Sequence, residues 1–395
     1  MSVSARKFKS IPINHNEIPQ NVLNIENKTR SNLFNWNGQF SPQFIEALLE
    51  RYAEKDYAVV DPFLGSGTTV GECARKGIEA YGTELNVSAF YMAKTYEYAN
   101  LVIEDRVKLV TKVDKVISSL QNDSEILEYI LLRIKYAEDN SIANLLSTLV
   151  IIMDVYKNMV TMELVNIKWE WLKNLILTLP YSKALISVNR GDSRKLVLND
   201  SSADLLITSP PYINVFNYHQ KYRRSVEELG YDVLQIARSE FGSNRKNRGN
   251  RFLTVIQYCI DMALSINEAI RVCKDNARMI YVVGRESSVL GYSFCNSELI
   301  YNIGTEIYGL NLMIRQERVF KNKYGQMIYE DILHFENKKM TEQLTEQDIV
   351  EKARRIAIRI LQEKLEVMPE TKNTVLLMNA ISNSLKVRES EVVYG

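Results

Sequence analysis

The stretch Asp61-Pro62-Phe63-Leu64-Gly65-Ser66-Gly67-Thr68-Thr69 decides the fold class of this 395-residue chain. It follows the apolar run 57–60, which predicts a short buried strand, and it opens a predicted helix at 68–76. A second strand and a second helix are predicted directly afterwards, at 79–85 and 88–100. Strands and helices that alternate in this way are typical of a parallel sheet, so we expect an α/β fold.

The alternation stops after residue 100 and resumes near residue 184. Residues 101–180 have helical apolar spacing almost throughout and carry more acidic than basic side chains, so we interpret them as a packed helical insertion. Beyond it, the sequence predicts a long helix at 252–272, strands at 186–189, 204–208 and 278–283, and a closing hairpin at 313–320 and 330–335.

These patterns divide the chain into four parts. Residues 1–30 predict a poorly structured arm with basic side chains near its start. The main α/β domain is expected in two segments, 31–100 and 181–337, which the helical insertion at 101–180 separates. Residues 338–395 are predicted to form a helical C-terminal region without a recognisable motif.

The composition argues against several classes of protein. The formal net charge is only +1, so a nucleic-acid partner has to be recognised from local patches. The 4 cysteines and 3 histidines are widely spaced, which argues against a zinc site, a redox pair or a His-based triad, and we expect no metal. Because there is neither a secretory signal nor an apolar run long enough to cross a bilayer, we predict a soluble cytoplasmic protein.

The glycine motif and the acid that follows it predict a nucleoside cofactor. Gly65 and Gly67 allow a tight turn that approaches a ligand closely, and Glu84 ends a strand, where a carboxylate can accept ribose hydroxyls. A dinucleotide motif would need its third glycine one residue before Gly71, and a phosphate-binding loop would need a lysine after Gly67. S-adenosylmethionine carries no phosphate and needs neither feature. The alternative is a turn that only joins strand to helix.

A second motif, Thr208-Ser209-Pro210-Pro211-Tyr212, follows the apolar run 204–207. Ligands bind at the carboxyl ends of strands in α/β sheets, and consecutive prolines hold the backbone stiffly without N–H donors. The hydroxyl of Ser209 and the carbonyl of Pro210 can therefore accept hydrogen bonds from an amine, and Tyr212 can stack on a base. The alternative is a rigid turn with a tyrosine that only packs.

Together the two motifs, 61–67 and 209–212, resemble those of the bacterial DNA amino-methyltransferases, which modify cytosine N-4 or adenine N-6. The resemblance covers roughly residues 32–100 and 184–336. It implies a Rossmann-like methyltransferase fold with a mostly parallel seven-stranded sheet and a C-terminal antiparallel hairpin. It also implies S-adenosylmethionine as methyl donor, S-adenosylhomocysteine as product, and double-stranded DNA as the partner whose base is flipped.

The resemblance also assigns roles to single positions. Asp192 is similar to the acid that follows the third strand and faces the adenine of the cofactor, although a turn residue is the alternative. The long insertion before Asp192 departs from the short connection of the family, so the target-recognition region is hard to place. The expected catalytic residues are Ser209, Pro210, Pro211 and Tyr212, and the expected cofactor residues are Trp36, Phe40, Ser41, Asp61, Phe63, Gly65, Gly67, Thr68, Thr69, Glu84 and Asp192.

A basic stretch after the second motif predicts a DNA-binding face. Residues 221–251 carry an excess of basic side chains, and 241–251 contain no acid. Because the stretch follows the second motif, it would lie beside a flipped base, where basic side chains contact phosphates and base edges. The alternative is a solvated charged loop. The expected DNA-binding residues are Lys221, Arg223, Arg224, Arg245, Lys246, Arg248 and Arg251.

The sequence leaves several functions open. The serine of the second motif favours cytosine N-4 by resemblance, and adenine N-6 is the alternative. An RNA base-amine methyltransferase and a non-enzymatic DNA-binding protein are further alternatives. Methylation of cytosine carbon-5 is set aside, because in that class the nucleophilic thiol follows a proline and no cysteine of this chain does. A partner restriction endonuclease and the oligomeric state are left open.

Overall fold

The computed structural model describes residues 8–120, 125–213, 217–242, 247–321, 325–339 and 343–392. The strands in these ranges are β1 (Ala58–Asp61), β2 (Glu79–Glu84), β3 (Ile186–Arg190), β4 (Ala203–Thr208), β5 (Cys273–Gly284), β6 (Glu286–Val289), β7 (Tyr292–Cys295), β8 (Asn311–Lys321) and β9 (Met327–Glu336). The helices of the main body include Pro42–Tyr52, Thr68–Lys76, Val87–Lys94, Arg223–Glu228, Val233–Ala237, Leu253–Val272, Asn296–Asn302, Glu346–Leu365 and Lys372–Ser382.

Seven strands form one sheet in the order β3-β2-β1-β4-β5-β9-β8. The first five strands of this order pair in parallel, whereas β9 runs antiparallel to both β5 and β8. The direction in which the chain adds strands reverses between β1 and β4, and ligands bind at such switch points in open α/β sheets. The expected α/β fold with a mostly parallel seven-stranded sheet and an antiparallel hairpin is confirmed.

The two sequence motifs leave the sheet side by side at this switch point. β1 ends at Asp61 and β4 ends at Thr208, and Val60 lies opposite Leu206 in the parallel register. β1 is buried along its whole length, as expected for a central strand that helices cover on both faces. The register of two neighbouring strands therefore sets the distance between the glycine motif and the Ser209 motif.

Two local features differ from the predictions. The helix predicted at 88–100 is an α-helix over Val87–Lys94 that continues as a 3-10 helix over Thr95–Asn100. The sequence predicts no element at 286–302, where the chain forms the hairpin of β6 and β7 and the helix Asn296–Asn302. Strands of four residues contain too few alternations for their period to be recognised.

The helical insertion is tied together at its base by one arginine. In the described part of the chain, its helices are Ile103–Ser118, Ile126–Lys135, Asn140–Met153 and Met162–Thr178. Arg106 is 2% exposed and donates to the carbonyls of Leu101 at 2.8 Å and of Ala99 and Pro180 at 3.2 Å. Because these carbonyls lie at both ends of the insertion, the side chain joins its entry to its exit.

The first described residues are packed, which corrects the expectation of a poorly structured arm. Phe8 is buried, and the guanidinium carbon of Arg315 in β8 lies 4.3 Å from the centre of its ring. The N–H of Asn14 donates to the carbonyl of Arg315 at 2.7 Å, and Leu23 is fully buried in the short helix Gln20–Leu23. Isolated apolar residues without periodicity do not reveal such packing from sequence.

The helix Glu346–Leu365 packs against the long helix Leu253–Val272, and the helix Lys372–Ser382 packs against Glu346–Leu365, so both join the core of the main body. Ile349, Ala353 and Leu361 of the helix Glu346–Leu365 are buried in this cluster. None of the helices in the described ranges is both long and apolar enough to cross a membrane.

Candidate active site

The glycine motif forms a left-handed turn at the start of the helix Thr68–Lys76. Gly67 has a φ of +95°, and its N–H donates to the carbonyl of Leu64 at 3.2 Å. A Cβ at Gly67 would lie 2.8 Å from Cδ2 of Tyr96 and 2.9 Å from Cα of Ala93. Tyr96 and Ala93 of the protein itself therefore exclude a side chain at position 67. From the sequence, the expected reason for this glycine is the close approach of a ligand.

Asp61 is a buried link between the two motifs. Its Oδ1 accepts hydrogen bonds from the hydroxyl of Thr208 at 2.6 Å and from the N–H of Phe63 at 3.1 Å, and its Oδ2 accepts one from the hydroxyl of Thr69 at 2.6 Å. Burial raises the pKa of Asp61 to about 6, although these hydrogen bonds oppose the shift. The carboxylate thus holds the ends of β1 and β4 and the helix Thr68–Lys76 together.

Glu84 ends β2 and reaches the same switch point. Its Oε2 accepts the N–H of Gly65 at 2.6 Å, and its Oε1 accepts the N–H of Asn86 at 2.7 Å. Burial raises the pKa of Glu84 to about 7, although both hydrogen bonds favour the ionised form. A carboxylate that two backbone donors orient at a strand end is well placed to accept the hydroxyls of a ribose.

Asp192 belongs to a buried ion-pair network just after β3. Arg194 donates to Oδ2 of Asp192 at 2.6 Å, to its Oδ1 at 2.9 Å and to Oδ1 of Asp261 at 2.8 Å. Arg194 also donates to the backbone carbonyls of Ser390 at 2.7 Å and Glu391 at 2.9 Å. The hydroxyl of Ser390 donates to Oδ2 of Asp261 at 2.7 Å. A segment near the C-terminus therefore holds the arginine that positions Asp192.

The segment 34–41 forms the outer wall of the site. Trp36 stacks on Tyr218, with ring centroids 5.9 Å apart and 19° between the ring planes. The hydroxyl of Ser66 in the glycine motif donates to Oε1 of Gln39 at 2.5 Å. These contacts fix the segment against the turn that it covers.

A cavity lies between these elements at the carboxyl ends of the strands, and we call it the first cavity. Its wall combines three carboxylates with aromatic rings and backbone polar groups, and it contains no lysine or arginine from the described part of the chain. The residues that line it are Trp36, Asn37, Gly38, Gln39, Phe40, Pro62, Phe63, Leu64, Gly65, Thr68, Glu84, Leu85, Asn86, Gly191, Asp192, Ser193, Ser209, Pro211, Tyr218, Glu240 and Phe241.

The predicted cofactor residues divide into two groups. Those in the wall of the first cavity are Trp36, Phe40, Phe63, Gly65, Thr68, Glu84 and Asp192. Those outside the wall are Ser41, Asp61, Gly67 and Thr69. The second group supports the first, because the hydroxyl of Thr69 donates a hydrogen bond to Asp61 and so fixes the two ends of the glycine turn.

The residues of the wall without a role predicted from sequence include Tyr218, Glu240 and Phe241. Oε2 of Glu240 lies 2.7 Å from Nδ1 of His219, and both side chains are buried. Phe241 packs edge-on against Phe63, with ring centroids 5.4 Å apart. These residues lie in the connection after β4, where no strand or helix pattern marks them, and only the acid-free stretch that begins at 241 points to this region.

A second cavity adjoins the first at Ser209, and the segment 34–41 contributes to both walls. Tyr212 lines the second cavity, and its hydroxyl lies 3.3 Å from Oγ of Ser209. A Cβ at Gly284 would lie 2.6 Å from the ring of Tyr212, so the end of β5 supports this ring closely. Pro210 lines neither cavity.

Lys221, the first of the predicted DNA-binding residues, lies beside the first cavity. Its Nζ donates to Oδ1 of Asn35 and of Asn37 at 3.1 Å each, and it lies 5.5 Å from the centre of the Trp36 ring. Burial lowers the pKa of Lys221 to about 8, and the nearby charge of Lys157 adds to this shift.

The predicted DNA-binding arginines have different surroundings. Arg223 and Arg224 each form an ion pair at 2.7 Å with the glutamate four residues later on the same helix. Arg248 is exposed, and Arg251 is half-buried. Two further members of the predicted set lie outside the described residues, namely Arg245 and Lys246.

A match to a known protein family covers the glycine motif. Residues 5–95 match the family model of the N6/N4 methyltransferases, described as DNA methylase. Over 51 residues the chain is 37% identical to the type II methyltransferase M.MjaII of Methanocaldococcus jannaschii, a match that covers 13% of this chain and 10% of that protein. The chain thus spans about a tenth of the length of the curated relative that it matches.

Among solved structures, a SAM-dependent methyltransferase from Methanosarcina mazei is similar with a TM-score of 0.37 and 12% identity. That match covers 74% of this chain and 98% of the other chain, but its TM-score is too low to bear on function. The resemblance inferred from the two motifs is confirmed by the family model and the curated relative. The segment 5–95, which matches the family model of the N6/N4 DNA methylases, carries the glycine motif and Glu84.

Proposed function

We propose that this protein is an S-adenosylmethionine-dependent methyltransferase that modifies the exocyclic amine of a base in DNA. The observation that carries the proposal is the position of Ser209, which lines both cavities. A methyl donor in the first cavity and a base in the second would meet at this residue. Direct transfer requires such a meeting point, because the reacting atoms must approach within about 3–3.5 Å.

The charges of the first cavity support S-adenosylmethionine over a phosphate-containing cofactor. Glu84, Asp192 and Glu240 contribute carboxylates, and the described wall has no lysine or arginine to neutralise a phosphate. A sulfonium and an ammonium group are favoured beside these carboxylates, whereas a pyrophosphate would be repelled. Glu84 would accept the ribose hydroxyls, and Asp192 would face the adenine. Beside them, Trp36, Phe63 and Phe241 supply aromatic surface.

The Ser209 motif supplies acceptors for the amine of a base. S-adenosylmethionine contributes an electrophilic methyl group on its sulfur. Oγ of Ser209 would accept a hydrogen bond from the amine, which draws the nitrogen lone pair out of the ring and toward the first cavity. The carbonyl of Pro210, which lines neither cavity in the chain without ligand, is the second acceptor that the motif offers. The hydroxyl of Tyr212, 3.3 Å from Oγ of Ser209, orients the serine hydroxyl. Acceptors fixed in advance at the reacting atom stabilise the transition state more than the ground state.

The target within the proposal is cytosine N-4, with adenine N-6 as the alternative. The proposed setting is a restriction-modification system in the cytoplasm, with a partner endonuclease. The decisive experiment incubates the purified protein with S-adenosylmethionine and duplex DNA, digests the DNA to nucleosides and weighs them. Transfer RNA serves as the competing substrate. N-4-methylcytosine is the expected product, methyl groups on transfer RNA alone would favour the RNA enzyme, and cofactor binding without any transfer would favour the non-enzymatic alternative.

The raised pKa of Glu84 predicts that cofactor affinity increases with pH. The ionised carboxylate is the better acceptor, so binding should tighten as pH rises through about 7, where Glu84 loses its proton. The stability of the folded chain without ligand depends on pH in the opposite sense. A folded pKa above the ordinary 4.5 means that this group contributes stability at low pH and that the contribution is lost as pH rises toward 7.

Calorimetric titration of S-adenosylmethionine from pH 6 to pH 8.5 checks this prediction. The ammonium group of the cofactor titrates at pH ~8, as α-amino groups do, so Glu84→Gln provides the matched control. The titration of the cofactor ammonium affects the affinity of both proteins equally. The difference between the two pH profiles of affinity therefore reports the titration of Glu84. Profiles of identical shape would contradict the role of Glu84 as a titrating ligand.

The ion pairs on the helix Arg223–Glu228 predict that its arginines contribute less to DNA binding than those after Gly242. Replacement of Arg248 and Arg251 by alanine should flatten the salt dependence of DNA affinity by ~0.9 units of slope per lost phosphate contact. The matched control replaces Arg223 and Arg224, whose charges glutamates already compensate. Salt titrations followed by fluorescence anisotropy measure both slopes. Equal flattening of the slope in the two variants would contradict a larger contribution of Arg248 and Arg251 to DNA binding.

A further inference from the structure

The C-terminal hairpin of the sheet forms part of the wall of the second cavity, which Ser209 also lines. From β8 it contains Arg318, and from β9 it contains Tyr329 and Glu330. Nη1 of Arg318 lies 3.3 Å from Oε2 of Glu330. Burial raises the pKa of the Glu330 carboxyl, whereas the charge of Arg318 and the hydroxyl of Tyr212 oppose that shift. A polar chain therefore leads from Ser209 through Tyr212 and Glu330 to Arg318.

The guanidinium of Arg318 is held in a fixed plane. Its central carbon lies 4.8 Å from the ring centre of Phe44 and 4.5 Å from that of Phe320. The residue is 9% exposed, and its Nε has no hydrogen-bond partner among the described residues. A buried guanidinium that makes one long ion pair has donors to spare, and leaving such donors unpaired is costly. Arg285, the other arginine of this wall, is already bonded to Glu317 and Asp331.

The charge of this wall fits a neutral base edge better than a phosphate. Glu286 and Glu330 both line the second cavity and would repel a phosphate placed beside Arg318. By contrast, the donor Arg318 and the neighbouring acceptor Glu330 match the mixed donors and acceptors on the edge of a base. Stacked arginine side chains are also the residues that most often read pairs of acceptors in bidentate fashion.

We propose that Arg318 determines the target base by donating to the N3 and O2 acceptors of a flipped cytosine, with Glu330 as the positioning residue. This inference rests on the proposed function. With its amine at Ser209, cytosine presents N3 and then the O2 carbonyl along the adjacent edge. Adenine presents N1 followed by a C–H, so it would satisfy one donor of the guanidinium and leave the other unpaired. The buried arginine thus selects against adenine by the cost of an unpaired donor.

The test pairs a protein change with the removal of one atom group from the base. Once the methylated site has been read by sequencing, a duplex is made in which the target cytosine is replaced by the C-nucleoside of 2-aminopyridine, which keeps the amine and the adjacent ring nitrogen and has a C–H in place of the O2 carbonyl. The wild-type enzyme should lose on the order of 10-fold to 100-fold in kcat/KM on this duplex, as for a lost bidentate contact. Arg318→Met should show a similar loss on natural cytosine, together with little further loss on the analogue.

Two further measurements keep the inference separate from folding and from the proposed function. Arg318→Lys retains one flexible cation next to Glu330, and it should keep part of the sensitivity to O2 while thermal melts report any loss of fold. Equal effects of the analogue on wild type, Arg318→Met and Arg318→Lys would overturn the role of Arg318. Methyl groups found only on adenine would overturn it too, yet would leave the methyltransferase proposal standing. Failure to methylate any base would instead overturn the proposed function itself.

Discussion

Replacement of Ser209 by alanine is expected to lower kcat for methyl transfer by about 10²–10³, the range seen when one transition-state hydrogen-bond partner is removed. The amine would keep the carbonyl of Pro210 but lose the acceptor that lies at the junction of the two cavities. The side chain is small, so cofactor affinity should change little. Single-turnover rates with excess enzyme, together with calorimetry of S-adenosylmethionine binding, measure the two effects separately.

Ser202→Ala is the matched control, because Ser202 immediately precedes β4 and Ser209 immediately follows it. The hydroxyl of Ser202 donates only to the carbonyl of Asn199 within the described chain, so its loss should leave both the rate and the affinity near wild type. A Ser209→Ala enzyme with an unchanged single-turnover rate would remove Ser209 from the reaction. An equal loss in both variants would instead indicate damage to β4.

Gly67→Ala is expected to destabilise the fold by roughly 2–4 kcal/mol and to abolish tight cofactor binding with it. One contribution is strain, since a φ of +95° is costly for any residue with a Cβ. The larger contribution is overpacking, because the new methyl group would lie 2.9 Å from the backbone of Ala93, which cannot move as a flexible side chain would. The start of the helix Thr68–Lys76 must then shift, and the wall of the first cavity shifts too.

The opposite end of the same helix supplies the control. Gly77 also has a positive φ, +67°, but a Cβ there would meet nothing within 4 Å. Gly77→Ala should therefore cost only the conformational strain, about 1 kcal/mol, and should leave cofactor affinity unchanged. Chemical denaturation gives both free energies of unfolding. If the two variants lost the same amount of stability, packing against Ala93 and Tyr96 would not be the reason for a glycine at position 67.

Much of the fold is predictable because its signals are local. The turn at 65–67 and the helix at 68–76 follow from neighbouring residues, and the helix bounds agree with the structure to the residue. The mostly parallel sheet follows from the alternation of strands and helices, and its seven strands and terminal antiparallel hairpin are what the family resemblance implies. The closing hairpin is recognisable because its strands are long and a polar, glycine-containing turn separates them.

The parts of the site that the sequence does not reveal depend on long-range contacts. The family resemblance assigns Asp192, but Arg194, which holds it, also bonds to Asp261, 67 residues further on, and Ser390 lies 129 residues beyond Asp261. No local period links such positions. Glu240 enters the cavity wall through tertiary packing of an irregular connection, and in the sequence it is one acid in a basic stretch.

The hydrogen bond between Arg194 and the carbonyl of Ser390 affects the order in which parts of the site are completed during synthesis. A ribosome delivers the two residues 196 positions apart, which at about 5–20 residues per second means an interval of roughly 10–40 s. The glycine motif and β1–β3 precede Arg194, and the Ser209 motif and the remaining strands are synthesised within that interval. Until its end, the arginine next to Asp192 lacks the backbone carbonyls of Ser390 and Glu391 that hold it. A chain synthesised only as far as β9 therefore contains the residues that line the first cavity, but it lacks the carbonyls of Ser390 and Glu391 that hold Arg194 against Asp192.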